Sequence, residues 1–304
     1  GWRFQRGSVS NAQTADFDDS GWQQISVPHD WAITGPFGST NDLQNVAVVQ
    51  NGEKEASLKT GRTGGLPWVG IGWYRTTFDS PKTGVTTLLF DGAMSEAHIY
   101  VNGKEAIFWP YGYNSFSVDV SELVNRDGKP NTLAVRLENR DESSRWYPGA
   151  GLYRNVHVIH TDSIHIPVWG TYITTPHVEK DFASINLKVE VVGHKGKAVR
   201  IDTEILSPDG KVVAKESKQT VTMQGHAFEQ NLIVNRPSLW SPETPHLYKA
   251  VTKVYVDGKE RDTQSTTFGI RDIAYIPHKG FFLNGKNVQF KGVCLHHDLG
   301  PLGT

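Results

Sequence analysis

Hydrophobic and polar positions alternate along much of this chain. From Ile185 to Val191, Ile185, Leu187, Val189 and Val191 are apolar while Asn186, Lys188 and Glu190 are polar. Val199, Ile201, Thr203 and Ile205 stand against Arg200, Asp202 and Glu204 in the same way. A period of two with one wet face predicts antiparallel strands, each laying one face on a core. Asn-Gly or Asp-Gly pairs punctuate the runs at Asn51-Gly52, Asp91-Gly92, Asn102-Gly103, Asp127-Gly128, Asp209-Gly210, Asp257-Gly258 and Asn284-Gly285. These pairs accept the positive φ angles of tight hairpins. No stretch of about twelve residues, the length a helix needs, carries a clean helical stripe. Leu43 to Leu58, interrupted at Asn51-Gly52, is expected to be a long irregular or functional loop. The predicted fold class is therefore all-β.

The patterning changes along the chain. Residues 1–165 are rich in aromatics and large loops, which suits a jelly-roll sandwich. A break falls near Ile166-Pro167. Residues 166–273 read as about seven short, regular strands, the pattern of an immunoglobulin-like β-sandwich. That sandwich has no cysteine pair, so its core alone is expected to hold the two sheets together. Residues 274–304 hold a hairpin through Asn284-Gly285 and then an apolar run, Val288 to Leu295, read as a strand that stops at His296-His297-Asp298.

Composition narrows the function. Hydrophobic residues make up 38% and aromatics 11% of the 304 residues, with nine tryptophans, enough for folded cores. A formal net charge of -1 gives no electrostatic case for nucleic acid or an anionic membrane. No apolar run approaches the roughly 20 residues of a membrane span. Gly1-Trp2-Arg3-Phe4 reads as folded sequence rather than a secretion leader, although a removed leader would leave no trace. Cys294 is the sole cysteine, so no internal disulfide forms; between Val293 and Leu295 it is expected to be a small buried strand residue.

Four segments could carry chemistry. Asn139 to Val156 combines charge, Trp146, Tyr147 and two glycines. Flat aromatics with fixed polar groups suit a sugar, whose C–H faces stack and whose hydroxyls need donors and acceptors. Asp141 and Trp146 are the candidates there; the alternative is that Arg145, Trp146 and Arg154 form an interdomain clamp, the reading favoured for Arg154. Val27 to Trp31, "VPHDW", reads as a surface loop over a buried Trp31, with His29 and Asp30 paired locally. Gly61 to Phe78 lacks the Gly-Lys-Ser/Thr ending of a phosphate loop and reads as a rigid aromatic border to a cleft. His296 and His297 are adjacent on an extended run, so their side chains diverge and make a poor metal site. As pocket residues they fit better, one reaching a ligand hydroxyl while the other anchors the strand. No Gly-x-Ser-x-Gly motif supports a serine triad. Asp141 and Asp298 could form a carboxylate pair, but nothing in the sequence sets them about 5–5.5 Å apart as a retaining glycosidase requires.

These segments together resemble the amino-terminal part of a glycoside hydrolase family 2 enzyme, most like the bacterial β-galactosidases. "PHDW" and "GPF", then "GWYRTTF", "LLFDGAMSEAHIYVNGKE", "NTLAVRLEN", "RWYPGAGLYRNVHV", "SLWSPETPHLYKAV", "TTFGIRDI", "FFLNGKNVQFKGVCLHHD" and "GPLGT" follow in the family's order. The resemblance implies a jelly-roll sugar-binding domain (1–165), an immunoglobulin-like domain (166–273) and the start of a (β/α)₈ catalytic barrel, truncated, over 274–304. Val288 to Leu295 would be the first barrel strand, placing His296, His297 and Asp298 at its carboxyl end, where barrel sites lie.

It further implies retaining hydrolysis of terminal β-D-galactosides in an oligosaccharide or polysaccharide. The acid/base and nucleophilic glutamates would lie beyond Thr304, so no catalytic residue is expected in this chain and the chain alone is expected to be inactive. His296 matches a galactose-lining histidine of relatives, and Asp141 an aspartate that the first domain contributes to the pocket. Val69 stands where relatives place a polar sugar contact, which weakens the expectation of simple galactose specificity. No cofactor or metal is expected in these residues, while Mg²⁺ or Na⁺ could serve the complete enzyme. A homo-oligomer is among the assemblies allowed, and a periplasmic or secreted location is favoured over a cytoplasmic one. The alternatives are a stand-alone carbohydrate-binding β-sandwich protein, or another activity of the family such as β-glucuronidase or β-mannosidase.

Overall fold

The computed structural model describes residues 1–38, 40–41, 45–49, 52–60, 66–140, 149–220 and 227–294. It divides into two compact units, one built on Gly1–His160 and the other on Thr161–Gly292. Among the described residues the only helix is a single 3₁₀ turn, Ala32–Thr34, and no helix is long and apolar enough to cross a membrane.

The first unit contains β1 (Trp2–Arg6), β2 (Gln23–Ile25), β3 (Asn45–Val48), β4 (Ser57–Thr60), β5 (Gly70–Phe78), β6 (Val85–Phe90), β7 (Ala97–Val101), β8 (Lys104–Trp109), β9 (Phe116–Asp119), β10 (Asn131–Asn139) and β11 (Val156–Thr161). A six-stranded sheet runs β2-β1-β5-β10-β7-β8, and a three-stranded sheet runs β11-β6-β9. The inward residues of β10, Leu133, Val135 and Leu137, share one core with Leu88 and Phe90 of β6 and Phe116 of β9. This is a two-layer sandwich whose sides are set by the period of two.

A loop covers part of the outer face of the larger sheet. Ala12 and Trp22 pack on Trp73 and Ala134 there. Beneath the loop, Arg75 is buried and fully engaged. It pairs with Asp19 at 2.8 Å, donates to the carbonyls of Ala12 and Thr14, and lies 5.3 Å from the Phe17 ring centroid. A buried guanidinium without such partners would be strongly destabilising.

The stretch Leu43 to Leu58 corrects an expectation. It contains β3 and part of β4, which pair antiparallel from Asn45↔Thr60 to Val48↔Ser57. Gly52, between the two paired strands, has a φ of 78°. Other turn pairs act as expected. Asn102-Gly103 joins β7 to β8 with φ of 50° and 83°, both in the left-handed region.

The second unit contains β12 (Thr171–Val178), β13 (Phe182–Glu190), β14 (Val199–Leu206), β15 (Val212–Thr220), β16 (Ala227–Asn235), β17 (Tyr248–Val256) and β18 (Lys259–Phe268). Its sheets run β12-β13-β16 and β15-β14-β17-β18, a seven-stranded sandwich. Ile185, Leu187, Val189, Val191, Val199, Ile201 and Ile205 are all fully buried, as the alternation requires. The core is not purely apolar, however. Gln230 of β16 reaches across to the other sheet. Its Oε1 accepts the hydroxyl of Thr203 at 2.6 Å, and its Nε2 donates to the Ile201 carbonyl at 3.1 Å. Thr203 also lies 3.2 Å from the Thr252 hydroxyl. Apolar contact alone was expected to join the sheets; a buried hydrogen-bond bridge joins them as well.

After this sandwich come β19 (Ile273–Ile276), β20 (Gly280–Leu283) and β21 (Lys286–Asn287), one antiparallel sheet with the expected Asn284-Gly285 turn. Val288 to Cys294 form no strand, contrary to expectation, and Phe290 and Val293 are exposed. A strand needs a neighbouring ladder for its backbone groups, and among the described residues none pairs with this run. Cys294 is accordingly exposed, not a core residue.

Replacing Gln230 by leucine keeps the volume but strips Thr203 and the Ile201 carbonyl of a buried partner. The expected loss is about 1–3 kcal/mol, read by urea unfolding with hydrogen exchange of the β13 and β16 amides. A change below about 0.5 kcal/mol would show that apolar packing alone joins the sheets.

Candidate functional site

Asp141, Trp146, His296 and His297 lie outside the described residues, as do Arg145 and Asp298. What the structure describes is how the chain enters and leaves the segment that carries Asp141 and Trp146. Both ends are tied down.

The entry is the end of β10. Its last residue, Asn139, pairs with Gly70 of β5 and is buried. One residue earlier, the Glu138 N–H donates to the Ser95 carbonyl at 2.9 Å, and the Ser95 hydroxyl donates to the Glu138 carbonyl at 2.9 Å. Arg140 reaches Glu96 at 3.1 Å. The exit is Gly149–Leu152. Asn139 Nδ2 donates to the Gly149 carbonyl at 3.2 Å, joining exit to entry directly. Gly151 and Met94 exchange backbone hydrogen bonds of 2.9 and 3.0 Å.

The "VPHDW" segment forms the third side. Trp31 is fully buried in the core, as expected. His29 and Asp30, expected to pair with each other, do not. The His29 N–H donates to the Leu152 carbonyl at 2.8 Å, and its Nδ1 meets the Tyr74 hydroxyl at 2.8 Å. The Asp30 carboxylate accepts the Ala32 N–H at 2.7 Å and the N–H of Ala150. Backbone donors outcompeted the imidazole because the carboxylate starts the 3₁₀ turn and faces the exit strand. Gly151 closes the junction: its φ is 91°, and any side chain there would strike the Tyr74 hydroxyl and the His29 carbonyl.

Burial, with the nearby Arg6 guanidinium adding to it, holds the His29 imidazole below its ordinary 6.5. Burial likewise raises Asp30 above its ordinary 3.8, against the two N–H donors that favour its charged form. The described residues therefore act as a mount. They fix backbone on both sides of Asp141 and Trp146 and contribute no exposed nucleophile of their own to the junction. Among the described residues, no group of three or more His, Cys, Asp or Glu side chains gathers as a metal site. Val69 is half-buried and packs against the core of the unit.

Sequence reasoning overlooked Asn139, Ser95 and the split roles of His29 and Asp30. The signal for Asn139 was its place at the end of an alternating strand, where a buried polar residue needs a partner. Ser95 and Glu96 carried no local signal, because their partners are about forty positions away.

The His29 shift has a pH consequence. As pH falls below 6.5, the unfolded chain takes a proton at this position before the folded chain does, so stability declines. His29→Asn removes that titration while keeping an acceptor for the Tyr74 hydroxyl. Its unfolding free energy is expected to fall less steeply than that of the unmodified chain between pH 6.5 and 5, in parallel urea titrations. Parallel pH profiles would remove His29 from the acid sensitivity.

Comparison with known proteins agrees with this architecture. Residues 164–271 match the profile of the family described as glycosyl hydrolases family 2. The chain is 37% identical over 311 residues to the β-galactosidase BoGH2A of Bacteroides ovatus, covering 100% of this chain and 34% of that protein. It is 36% identical over 306 residues to a provisionally named β-glucuronidase of Formosa agariphila, covering 99% of this chain and 27% of that protein. A crystal structure of a glycosyl hydrolase family 2 member from Bacteroides cellulosilyticus superposes with a TM-score of 0.85 at 31% identity, over 98% of this chain and 38% of that one. The chain thus spans about a third of the length of the curated relatives it matches. The chain belongs to glycosyl hydrolase family 2.

Proposed function

We propose that this chain is part of a retaining β-galactosidase, and that its first unit supplies one wall of the pocket for the terminal sugar. Asp141 would bind sugar hydroxyls, Trp146 would stack on a sugar face, and His296 and His297 would line the pocket from the region after β21. The observation that carries the reading is the double anchoring of the segment bearing Asp141 and Trp146, by Asn139, Ser95 and Asp30. A sugar-binding carboxylate gains most when its backbone is already fixed before binding, because less freedom is lost on association.

The proposed reaction is a double displacement. A carboxylate attacks the anomeric carbon while a carboxylic acid protonates the leaving oxygen; water then reverses the step with the acid acting as base. Both groups are proposed to come from outside residues 1–304. The identity shared with a protein named as a β-glucuronidase supports a second reading on the same scaffold, in which the terminal sugar carries a carboxylate.

Nitrophenyl β-D-galactoside and nitrophenyl β-D-glucuronide, offered to this chain and to a longer protein containing it, separate the readings. Hydrolysis of the galactoside by the longer protein alone is expected. Turnover by the 304-residue chain itself would overturn the placement of the catalytic carboxylates, and preference for the glucuronide would install the second reading. In the longer protein, Asp141→Ala is expected to lower kcat/KM by about 100-fold, the scale of one transition-state contact to a sugar hydroxyl. Near-unchanged kinetics would take Asp141 out of the pocket.

A further inference from the structure

The connection between β8 and β9 sets two tyrosines side by side. Tyr111 and Tyr113 are 57% and 54% exposed, with ring centroids 5.5 Å apart and planes inclined at 53°. Two large aromatic faces turned to water in one short loop call for an explanation. The pair is also rigidly mounted. Gly112 between them is buried against Met94, where any side chain would clash, and its carbonyl accepts the Tyr153 hydroxyl at 2.6 Å. Trp109, just before them, stacks on Phe116 at 5.2 Å and donates its indole N–H to Asn114 at 3.1 Å.

Polar groups lie beside this mount. The Arg154 guanidinium sits 5.6 Å from the Tyr153 ring centroid. Tyr153 and Arg154 close over Gly92, which has no room for a side chain. Next to Gly92, Asp91 pairs with His157 at 3.0 Å, and both remain partly exposed.

Two flat faces at a fixed angle with a carboxylate and a guanidinium nearby match the chemistry of a carbohydrate. The C–H face of a pyranose stacks on a ring, and its hydroxyls bond to the charged fringe. An apolar ligand would make no use of the Arg154 guanidinium, and a purely ionic ligand would not use the rings. The location supports a role in the same site. Met94, which packs on Gly112, is the residue that exchanges hydrogen bonds with Gly151 at the exit of the anchored segment. Tyr153 follows that exit by two residues.

We propose that Tyr111 and Tyr113, fringed by Arg154, are a stacking subsite for a further sugar residue of a β-linked oligosaccharide or polysaccharide. The proposal deepens the functional reading above and rests on it for the identity of the sugar, not for the existence of the platform. Tyr111 and Tyr113 hold the C–H faces of a ring in the same chain as the terminal sugar, and the substrate is recognised over more than one residue.

The test is titration of the 304-residue chain with β-1,4-linked galactose oligomers of one to four units, followed by calorimetry and by the tyrosine ring resonances. Association is expected to strengthen with oligomer length. The Tyr111→Ala/Tyr113→Ala chain is expected to lose about ten-fold or more, the scale of two lost ring contacts. Tyr111→Phe/Tyr113→Phe is expected to retain binding within about three-fold, because stacking needs the ring and not the hydroxyl. Tyr172→Ala, which removes an exposed tyrosine of the other unit, serves as the control for nonspecific loss.

Oligomers that fail to bind, or bind equally well to the double alanine chain with its near-ultraviolet circular dichroism intact, overturn the proposal. The functional reading fails separately. If a longer protein splits no β-galactoside while the oligomers still bind through Tyr111, the platform stands and the reading falls. If it splits nitrophenyl β-D-galactoside while no oligomer touches Tyr111, the reading stands and the platform falls.

Discussion

The candidate site hangs on one contact: the indole of Trp31 lying against the bare backbone of Gly72. Any side chain at Gly72 would enter the space of that ring. Trp31 is then enclosed by Phe4 at 5.8 Å, Trp68 at 6.1 Å and Tyr74 at 6.4 Å between ring centroids. Arg6 locks its backbone from outside, donating to the Trp31 carbonyl at 2.5 Å and to the Thr34 hydroxyl at 2.9 Å. The seat is taken despite a cost, since the indole N–H is buried without an acceptor among the described residues. An unmade hydrogen bond costs about 1–3 kcal/mol, whereas burying about 200 Å² of aromatic surface contributes about 5 kcal/mol. Packing wins. Once Trp31 is seated, the two residues before it are committed: His29 to Tyr74 and Leu152, Asp30 to Ala32 and Ala150.

The polar devices around this seat share a logic. Each is a side-chain amide that ties together backbone from separate segments. Asn139 joins the entry of the Asp141 segment to its exit at Gly149. Asn102 of the β7–β8 turn is tied to the start of β10: its Nδ2 donates to Asn131 Oδ1 at 2.8 Å, and that oxygen also accepts the Asn125 N–H. Gln230 joins two sheets that carry no disulfide. A buried amide works in each case because it offers donors and an acceptor in one plane, so a single side chain can satisfy partners on different strands.

What could be read from the sequence follows from how local each signal is. The sandwiches were legible because burial with period two repeats within a single strand: Ile185 to Val191 needs no partner to be recognised as half-buried. Turns were legible because Asn-Gly and Asp-Gly encode the needed φ angles in two residues. Gln230 was not legible, since its partner Thr203 lies 27 positions earlier in another strand, and Thr203 in turn meets Thr252, 49 positions further on. Asp30 was misread for a related reason: an adjacent histidine is the obvious partner, but the nearer donors were backbone N–H groups, which every residue carries and no sequence displays. Val288 to Cys294, which form no strand, show the opposite limit. Their apolar character was real, but a strand is a relation between two segments, and apolar character alone does not supply the second. Local chemistry singled out Asp141, Trp146, His296 and His297, and the family resemblance then implied sugar-pocket roles for Asp141 and His296.

The anchoring around Asn139 bears on specificity. Distinguishing a galactoside from a glucuronide means distinguishing a neutral hydroxymethyl group from a carboxylate at one corner of a sugar ring. A pocket does this through the charge it presents there, and charge discriminates only when its position is fixed, because a mobile side chain can retreat into solvent. In this chain Asp141 follows immediately after Arg140, whose guanidinium is already engaged by Glu96. The Arg140 side chain of that pair is 60% exposed, and an exposed ion pair is worth only about 0–1 kcal/mol. A contact that weak can be given up for a sugar carboxylate, so under the proposed function the choice between the two sugars falls to groups held more firmly than Arg140.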